Sequence, residues 1–279
     1  MSDLHVDQNQ EALELLEARA IADGVDALVV GGDVTHRLDL LETTLRRLRG
    51  AYPRVLYVPG NHDLWSREAK DASRVRYLDR LPALCRRLRV DYLPDGPVAV
   101  GDGTVVGQTG WYDYSMADAR LALPLDAYRV GTHERLAWAD KVMVTWGGVD
   151  DAELTAWMDA RLAADLERAP RDKPLVVATH MLPFDELAPE HPLQWAFVRG
   201  FLGATALGET IVRAAEAGAP IAHCLAGHSH WARRTEVTAA GRTIVAETSP
   251  LGYPREYGRA GLTLPEQLAR RVAIVECAG

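Results

Sequence analysis

Five short polar clusters in this 279-residue chain have the residue types to do chemistry: Asp3-Leu4-His5, Gly32-Asp33, Gly60-Asn61-His62-Asp63, Thr179-His180 and Gly227-His228-Ser229-His230. Together they supply enough carboxylate, amide and imidazole donors for two divalent cations. Cations about 3.5–4 Å apart repel each other, so an anionic ligand is needed between them, and one carboxylate can give an oxygen to each. Asp33 is the residue expected to form that bridge. Asp3 and His5, two positions apart, would project the same way from an extended segment. No thiolate belongs to the set, which is therefore borderline rather than soft and accepts manganese, iron, zinc or nickel without choosing among them. A closed structural zinc site is excluded by the lack of a cysteine pair and by too many ligands for one tetrahedral ion. A single Asp-x-His or Gly-Asp more often marks a turn or a helix cap. The five in this order are far more specific.

That order and composition resemble the calcineurin-like metallophosphoesterase superfamily, across residues 3–230. The resemblance implies a four-layer αββα sandwich of two mixed sheets flanked by helices. It also implies that Asp3, His5, Asp33 and His230 hold a first cation, and that Asn61, His180, His228 and Asp33 hold a second. In such enzymes a hydroxide between the metals attacks phosphorus in line, so no covalent intermediate is expected. By the same resemblance His62 faces the substrate, where it stabilises the charge developing at phosphorus and protonates the leaving oxygen. Asp63 is expected to hold the His62 imidazole in its tautomer and orientation. The expected function is hydrolysis of a small phosphodiester or phosphomonoester, with a nuclease or a noncatalytic binding scaffold on the same fold as alternatives. Protein serine/threonine phosphatases of the superfamily carry Gly-Asp-x-Val-Asp-Arg-Gly and Gly-Asn-His-Glu. This chain reads Gly32-Asp33-Val34-Thr35-His36-Arg37-Leu38 and ends its third block in Asp63, which disfavours a phosphoprotein substrate. One departure concerns the start: the family has an apolar strand before Asp-x-His, whereas only Met1 and Ser2 precede Asp3. Either that strand is absent or the chain begins downstream of its natural start, and Asp3 and His5 are expected to be held less firmly than the other ligands.

The elements that must position these clusters alternate along the chain. Residues 10–22 carry Leu13, Leu16, Ala20 and Ile21 at helical spacing, and residues 26–30 then read as a short buried strand ending at Gly31-Gly32-Asp33. A helix over 38–48 and a strand over 54–58 repeat the unit and end at the third cluster. Further along, the pattern predicts a glycine-punctuated hairpin over 98–109, a helix over 151–168, and strands over 174–178 and 221–226 that deliver His180 and His228. A hairpin over 235–247 with Gly241 at its turn and a closing strand over 271–276 complete the reading. Strands alternating with helices indicate layered α/β architecture, in which ligands collect beyond the carboxyl ends of the strands. Residues 110–150 are the least periodic and read as a cap or insertion within a single domain of residues 1–279.

Composition bounds the remaining classes. The chain is 48% hydrophobic and 25% charged, enough to bury one large core. It has no apolar run long enough to span a membrane and no basic-then-apolar leader, so it is expected to be cytoplasmic, with no membrane partner. A formal charge of -8 disfavours nucleic acid, whose recognition needs a basic surface. Cys85, Cys224 and Cys277 have no zinc or redox spacing and read as buried free thiols. The Arg46-Arg47-Leu48-Arg49 and Arg86-Arg87-Leu88-Arg89 runs read as solvated helix faces. Trp65, Trp111, Tyr112, Tyr114, Trp138, Trp146, Trp195 and Phe197 either line a cleft over the metals or pack the insertion onto the body. His36 and Arg37, just past Asp33, are weaker candidates for contact with a substrate phosphate.

Overall fold

Among the described residues there are eleven strands: β1 Leu28–Gly31, β2 Val55–Val58, β3 Asp91–Tyr92, β4 Val98–Val100, β5 Gly103–Gln108, β6 Thr132–His133, β7 Leu136–Ala137, β8 Leu175–Thr179, β9 Ile221–Ala226, β10 Arg234–Ala239 and β11 Arg242–Thr248. The computed structural model describes residues 1–190 and 192–276, so His191 and Cys277 lie outside the described residues. One sheet runs β1-β2-β3, all parallel. A second runs β10-β11-β9-β8-β5-β4, parallel at its centre and antiparallel at both edges. A separate hairpin, β6-β7, lies within residues 110–150.

The central strands are buried on both faces, as parallel strands between two layers must be: every residue of β2, β5 and β8 is buried. Leu56 and Val58 of β2 meet Val105, Val176 and Ala178 of the second sheet, with Leu93, in a cluster between the sheets. Side chains alternate along a strand, so Val55 and Tyr57 face the other way, into the larger core with Leu41, Leu45 and Leu48 of helix Leu38–Ala51. On the second sheet, helices Asp151–Arg168 and Thr205–Glu216 pack on each other, and the former also packs on β5. The first of these helices begins where the sequence predicts, because Asp150 accepts from the Glu153 N–H at 2.8 Å while Glu153 accepts from the Asp150 N–H at 3.0 Å. The result is the expected sandwich of two sheets flanked by helices.

Two expectations are corrected. Residues 271–276 do not form a closing strand: Pro265 in the first turn and the Thr263/Glu266 capping box drive a helix, Leu264–Arg271, and residues 272–276 join no sheet. Nor is the N-terminal segment loosely held. The Met1 ammonium donates to the Val29 carbonyl at 3.1 Å and the Gly31 N–H donates to Met1 at 2.8 Å, which extends the parallel ladder of β1 by one residue. Beyond it, Asp3, His5 and Val6 N–H groups donate to Gly32, Asp33 and Val34, while Ser2 exchanges bonds with Ser249 and Leu251. Asp3 and His5 are therefore stitched between two loops, each about 1% exposed or less.

Candidate metal centre

Four of the five polar clusters follow the carboxyl end of a parallel strand: Asp33 after β1, Asn61, His62 and Asp63 after β2, His180 after β8, and His228 and His230 after β9. The chain turns sharply there. Asp3, His5, Asp33, His228 and His230 all have left-handed φ values between 39° and 67°, five of the ten such non-glycine residues described. Non-glycine residues adopt this conformation at a cost, and they do so where a site demands it. The motif glycines serve the same crowding. A Cβ on Gly32, at φ 87°, would lie 2.5 Å from His180 Nδ1 and 2.6 Å from Gly60 N, and one on Gly60 would collide with Asp33.

Two groups of ligand atoms result, each gathered within 4.8 Å: Asp3, His5, Asp33 and His230 in one, Asp33, His180 and His228 in the other. Asp33 belongs to both. Asn61 joins the second through its Oδ1, 2.9 Å from His180 Nε2. Hydrogen bonds at the far side of each ring select its tautomer. His180 Nδ1 lies 2.9 Å from the Gly31 carbonyl, which can only accept, so Nδ1 carries the proton. His228 Nε2 likewise donates to the Phe201 carbonyl at 3.1 Å, and His230 Nδ1 to Glu256 Oε2 at 2.8 Å. The Asn61 amide is oriented by donation from Nδ2 to Asp140 Oδ1 at 2.9 Å.

Burial lowers the His180 pKa, and burial together with the neighbouring His180 drives His228 well below the usual imidazole range. Burial, then the charge of His230, pushes His5 down to about 3. For His230, burial works the same way but is outweighed by hydrogen bonds to Asp3 and Glu256, which push it up to about 10. Burial alone would raise Asp3, yet the His230 hydrogen bond holds it well below the carboxylate range. Asp33 is raised well above that range by burial and by the nearby Asp3 and Asp63 carboxylates. Three imidazoles held neutral by burial, those of His5, His180 and His228, beside crowded carboxylates form a set that divalent cations stabilise. The fit is sharpest where His180 Nε2, carrying no proton, faces the lone pairs of Asn61 Oδ1 at 2.9 Å and Asp33 Oδ1 at 3.4 Å. Three atoms able to give a lone pair to a cation converge there.

His62 sits beside this set, its Nε2 3.9 Å from Asp33 Oδ2, while its backbone N–H donates to Asp33 Oδ1 at 2.8 Å. Its ring stacks on Trp65, with centroids 3.7 Å apart and planes at 26°. Asp63 makes no hydrogen bond to that ring among the described residues, contrary to expectation. Its Oδ1 accepts from the N–H groups of Val34 and Thr35 and its Oδ2 from that of Gly60, each at 2.9 Å. The reason is positional: Asp63 is the third residue of the short helix Asn61–Leu64, so its side chain turns back to the helix start and ties the loop after β2 to the loop after β1.

Sequence reasoning missed Glu256, Tyr253 and Asp140. Tyr253-Pro254-Arg255-Glu256 is legible as a helix start, but not as the group that holds His230 and stacks Tyr253 on His5 at 4.4 Å. Asp140 had no sequence signal. Of the weaker candidates, Arg37 is ion-paired with Asp39 at 2.7 Å, and His36 lies 6.3 Å from Trp65. Arg46 and Arg87 both pair with Glu42, and Arg47 with Glu17, as solvated faces do. Trp111, Tyr112, Tyr114 and Trp146 are buried and Trp195 is exposed, so most of the aromatic set packs rather than lines an open cleft. Cys85 and Cys224 are buried free thiols. No helix among the described residues is long and apolar enough to cross a membrane.

The calcineurin-like phosphoesterase family profile matches residues 1–232. Over 166 residues, 56% of this chain, the sequence is 28% identical to the acyl-carrier-protein phosphodiesterase PptH of Mycobacterium tuberculosis, and the match spans 50% of that relative's length. The crystal structure of phosphopantetheinyl hydrolase PptH from the same organism superposes with a TM-score of 0.75 at 24% identity, covering 95% of this chain and 92% of the other. A dimetal phosphatase from Danio rerio superposes with a TM-score of 0.48 at 15% identity, covering 86% and 78%.

Proposed function

The chain belongs to the calcineurin-like phosphoesterase family, and on that premise we propose that it hydrolyses a phosphodiester with two divalent cations held by Asp3, His5, Asp33, Asn61, His180, His228 and His230. The observation that carries this reading is the convergence of His180 Nε2, Asn61 Oδ1 and Asp33 Oδ1, three lone-pair donors, on one point. Asp33, common to both ligand groups, is the proposed bridge. When bound, the two cations supply Lewis-acid charge to the phosphoryl oxygens and to the attacking water. The protein does the rest. Left-handed ligands and motif glycines hold the donors in place before substrate arrives, which avoids reorganisation during the reaction.

His62 is the proposed catalytic side chain. Burial and the surrounding imidazoles push it down to about 2, so the ring is neutral and its part is to donate an N–H to a phosphoryl oxygen. Donating a proton to the leaving oxygen, the further role expected of it, requires the substrate's negative charge to raise that pKa. Trp65 fixes the plane of the ring. Asp63 acts on catalysis only through the two loops it joins. Residues 110–150 are the proposed cap, a reading supported by Trp138 and Asp140, which they place beside His228, Asn61 and Trp65.

The name of the Mycobacterium tuberculosis relative makes the diester between acyl carrier protein and its phosphopantetheinyl group the first specific substrate to try. The test is hydrolysis of a chromogenic diester and its matching monoester by metal-stripped protein, re-supplied separately with manganese, iron, zinc or nickel, and then of the carrier-protein diester. Metal-dependent turnover with preference for diesters is expected, with Asp33→Asn losing both bound metals and activity. No turnover of any ester despite two bound metals would leave a binding scaffold instead.

A further inference from the structure

Asp140 is 2% exposed and forms no part of either ligand group. Its carboxylate accepts three N–H donors, none of them a cation: Asn61 Nδ2 at 2.9 Å and Trp65 Nε1 at 2.6 Å on one oxygen, Trp138 Nε1 at 3.0 Å on the other. A buried carboxylate costs several kcal/mol to desolvate unless hydrogen bonds compensate, and an apolar side chain of the same shape would pack there more cheaply. Two of the donors, Asn61 and Trp65, stand at the two ends of one short helix, and the third, Trp138, lies two residues before Asp140. Asn61 opens the short helix after β2, Trp65 stacks on His62, and Trp138 stacks on Phe201 while its edge meets His228.

An asparagine can present either its oxygen or its NH2 to a metal, and only the oxygen binds. A carboxylate cannot donate, so Asp140 leaves the Asn61 amide one orientation, with Nδ2 toward Asp140 and Oδ1 toward His180 Nε2. Accepting from the NH2 end also draws electron density onto Oδ1 and makes it a better donor to a cation, as outer carboxylates do for ligating histidines. We propose that Asp140 is a positioning residue for the second cation, acting through Asn61, and that through Trp65 and Trp138 it couples residues 110–150 to the same centre. This rests on Asn61 being a ligand, as proposed above.

The test is a double-mutant cycle read by Mn2+ titration of the metal-stripped full chain, using Asp140→Leu, which removes the acceptor, Asn61→Ala and the pair together. The expected loss in Asp140→Leu is about tenfold to a hundredfold in affinity at one of the two sites, the range typical of outer-shell changes. The site built on Asp3, His5 and His230 should keep its affinity, a selectivity that general destabilisation would not produce. In the Asn61→Ala background the Asp140 change should add nothing. Additive losses, equal weakening of both sites, or unchanged binding in Asp140→Leu would each overturn the proposal. Unchanged binding in Asn61→Ala would overturn the ligand assignment as well, which separates the two failures. If Asp140→Leu does not fold, the same cycle is run with Asp140→Glu, which keeps the charge but moves it by one methylene, and additive losses overturn the proposal equally.

Discussion

Replacing Asp63 by asparagine separates two roles that the sequence alone merges. The carboxylate accepts the N–H groups of Val34 and Thr35 on one oxygen and of Gly60 on the other. The amide of Asp63→Asn can turn its oxygen to Val34 and Thr35, but its NH2 then faces the Gly60 N–H, donor against donor. A hydrogen bond to a charged group contributes about 1.5–3 kcal/mol, and an orphaned buried donor costs about 1–3 kcal/mol, so a net loss of about 3 kcal/mol is expected. For a chain of this size about 2–4 °C accompanies each kcal/mol, giving a fall in Tm of about 6–12 °C. Gly60 stands directly against Asp33, so Mn2+ binding should weaken together with stability. Calorimetry on metal-stripped and Mn2+-loaded protein, alongside kcat on a chromogenic diester, reads all three quantities. A Tm within about 2 °C of the parent, combined with a kcat about a hundredfold lower, would refute the loop-tying argument and restore Asp63 as the residue that orients His62.

Two further outcomes are expected. His62→Ala should keep two Mn2+ per chain while kcat falls about a hundredfold, and loss of a metal on quantitation would show that His62 is a ligand. Gly32→Ala should lose the cation at Asn61, His180 and His228, because the left-handed backbone costs about 1–2 kcal/mol for alanine and the new methyl displaces the His180 ring. Two Mn2+ retained, with an unchanged melting curve, would refute the close-packing argument.

What the sequence determined by itself is the inventory and its order. Strand periodicity and helix spacing place Asp33, His180 and His228 at strand ends, because hydrophobic burial on a two-residue or 3.6-residue period is a local property of the chain. The nine residues proposed for the site could be named for the same reason: motif chemistry lies in short contiguous blocks. Their partners do not. Glu256 reaches His230 across 26 residues, and Asp140 reaches Asn61 across 79. Asp63 reads as a partner of the adjacent His62 but turns instead to Val34 and Thr35, nearly 30 residues away. The N-terminal segment looks loose when read alone, yet it is held by backbone bonds to residues 29–34 and 249–252. Residues 271–276 read as a strand from their short apolar run, but capping at Thr263 carries a helix through Arg271 before any sheet edge can take it. Hydrogen bonds between distant residues form only once hydrophobic burial has brought the chain's layers together. The tertiary structure therefore decides which nitrogen of each histidine carries a proton, which way Asn61 points, and hence where cations fit.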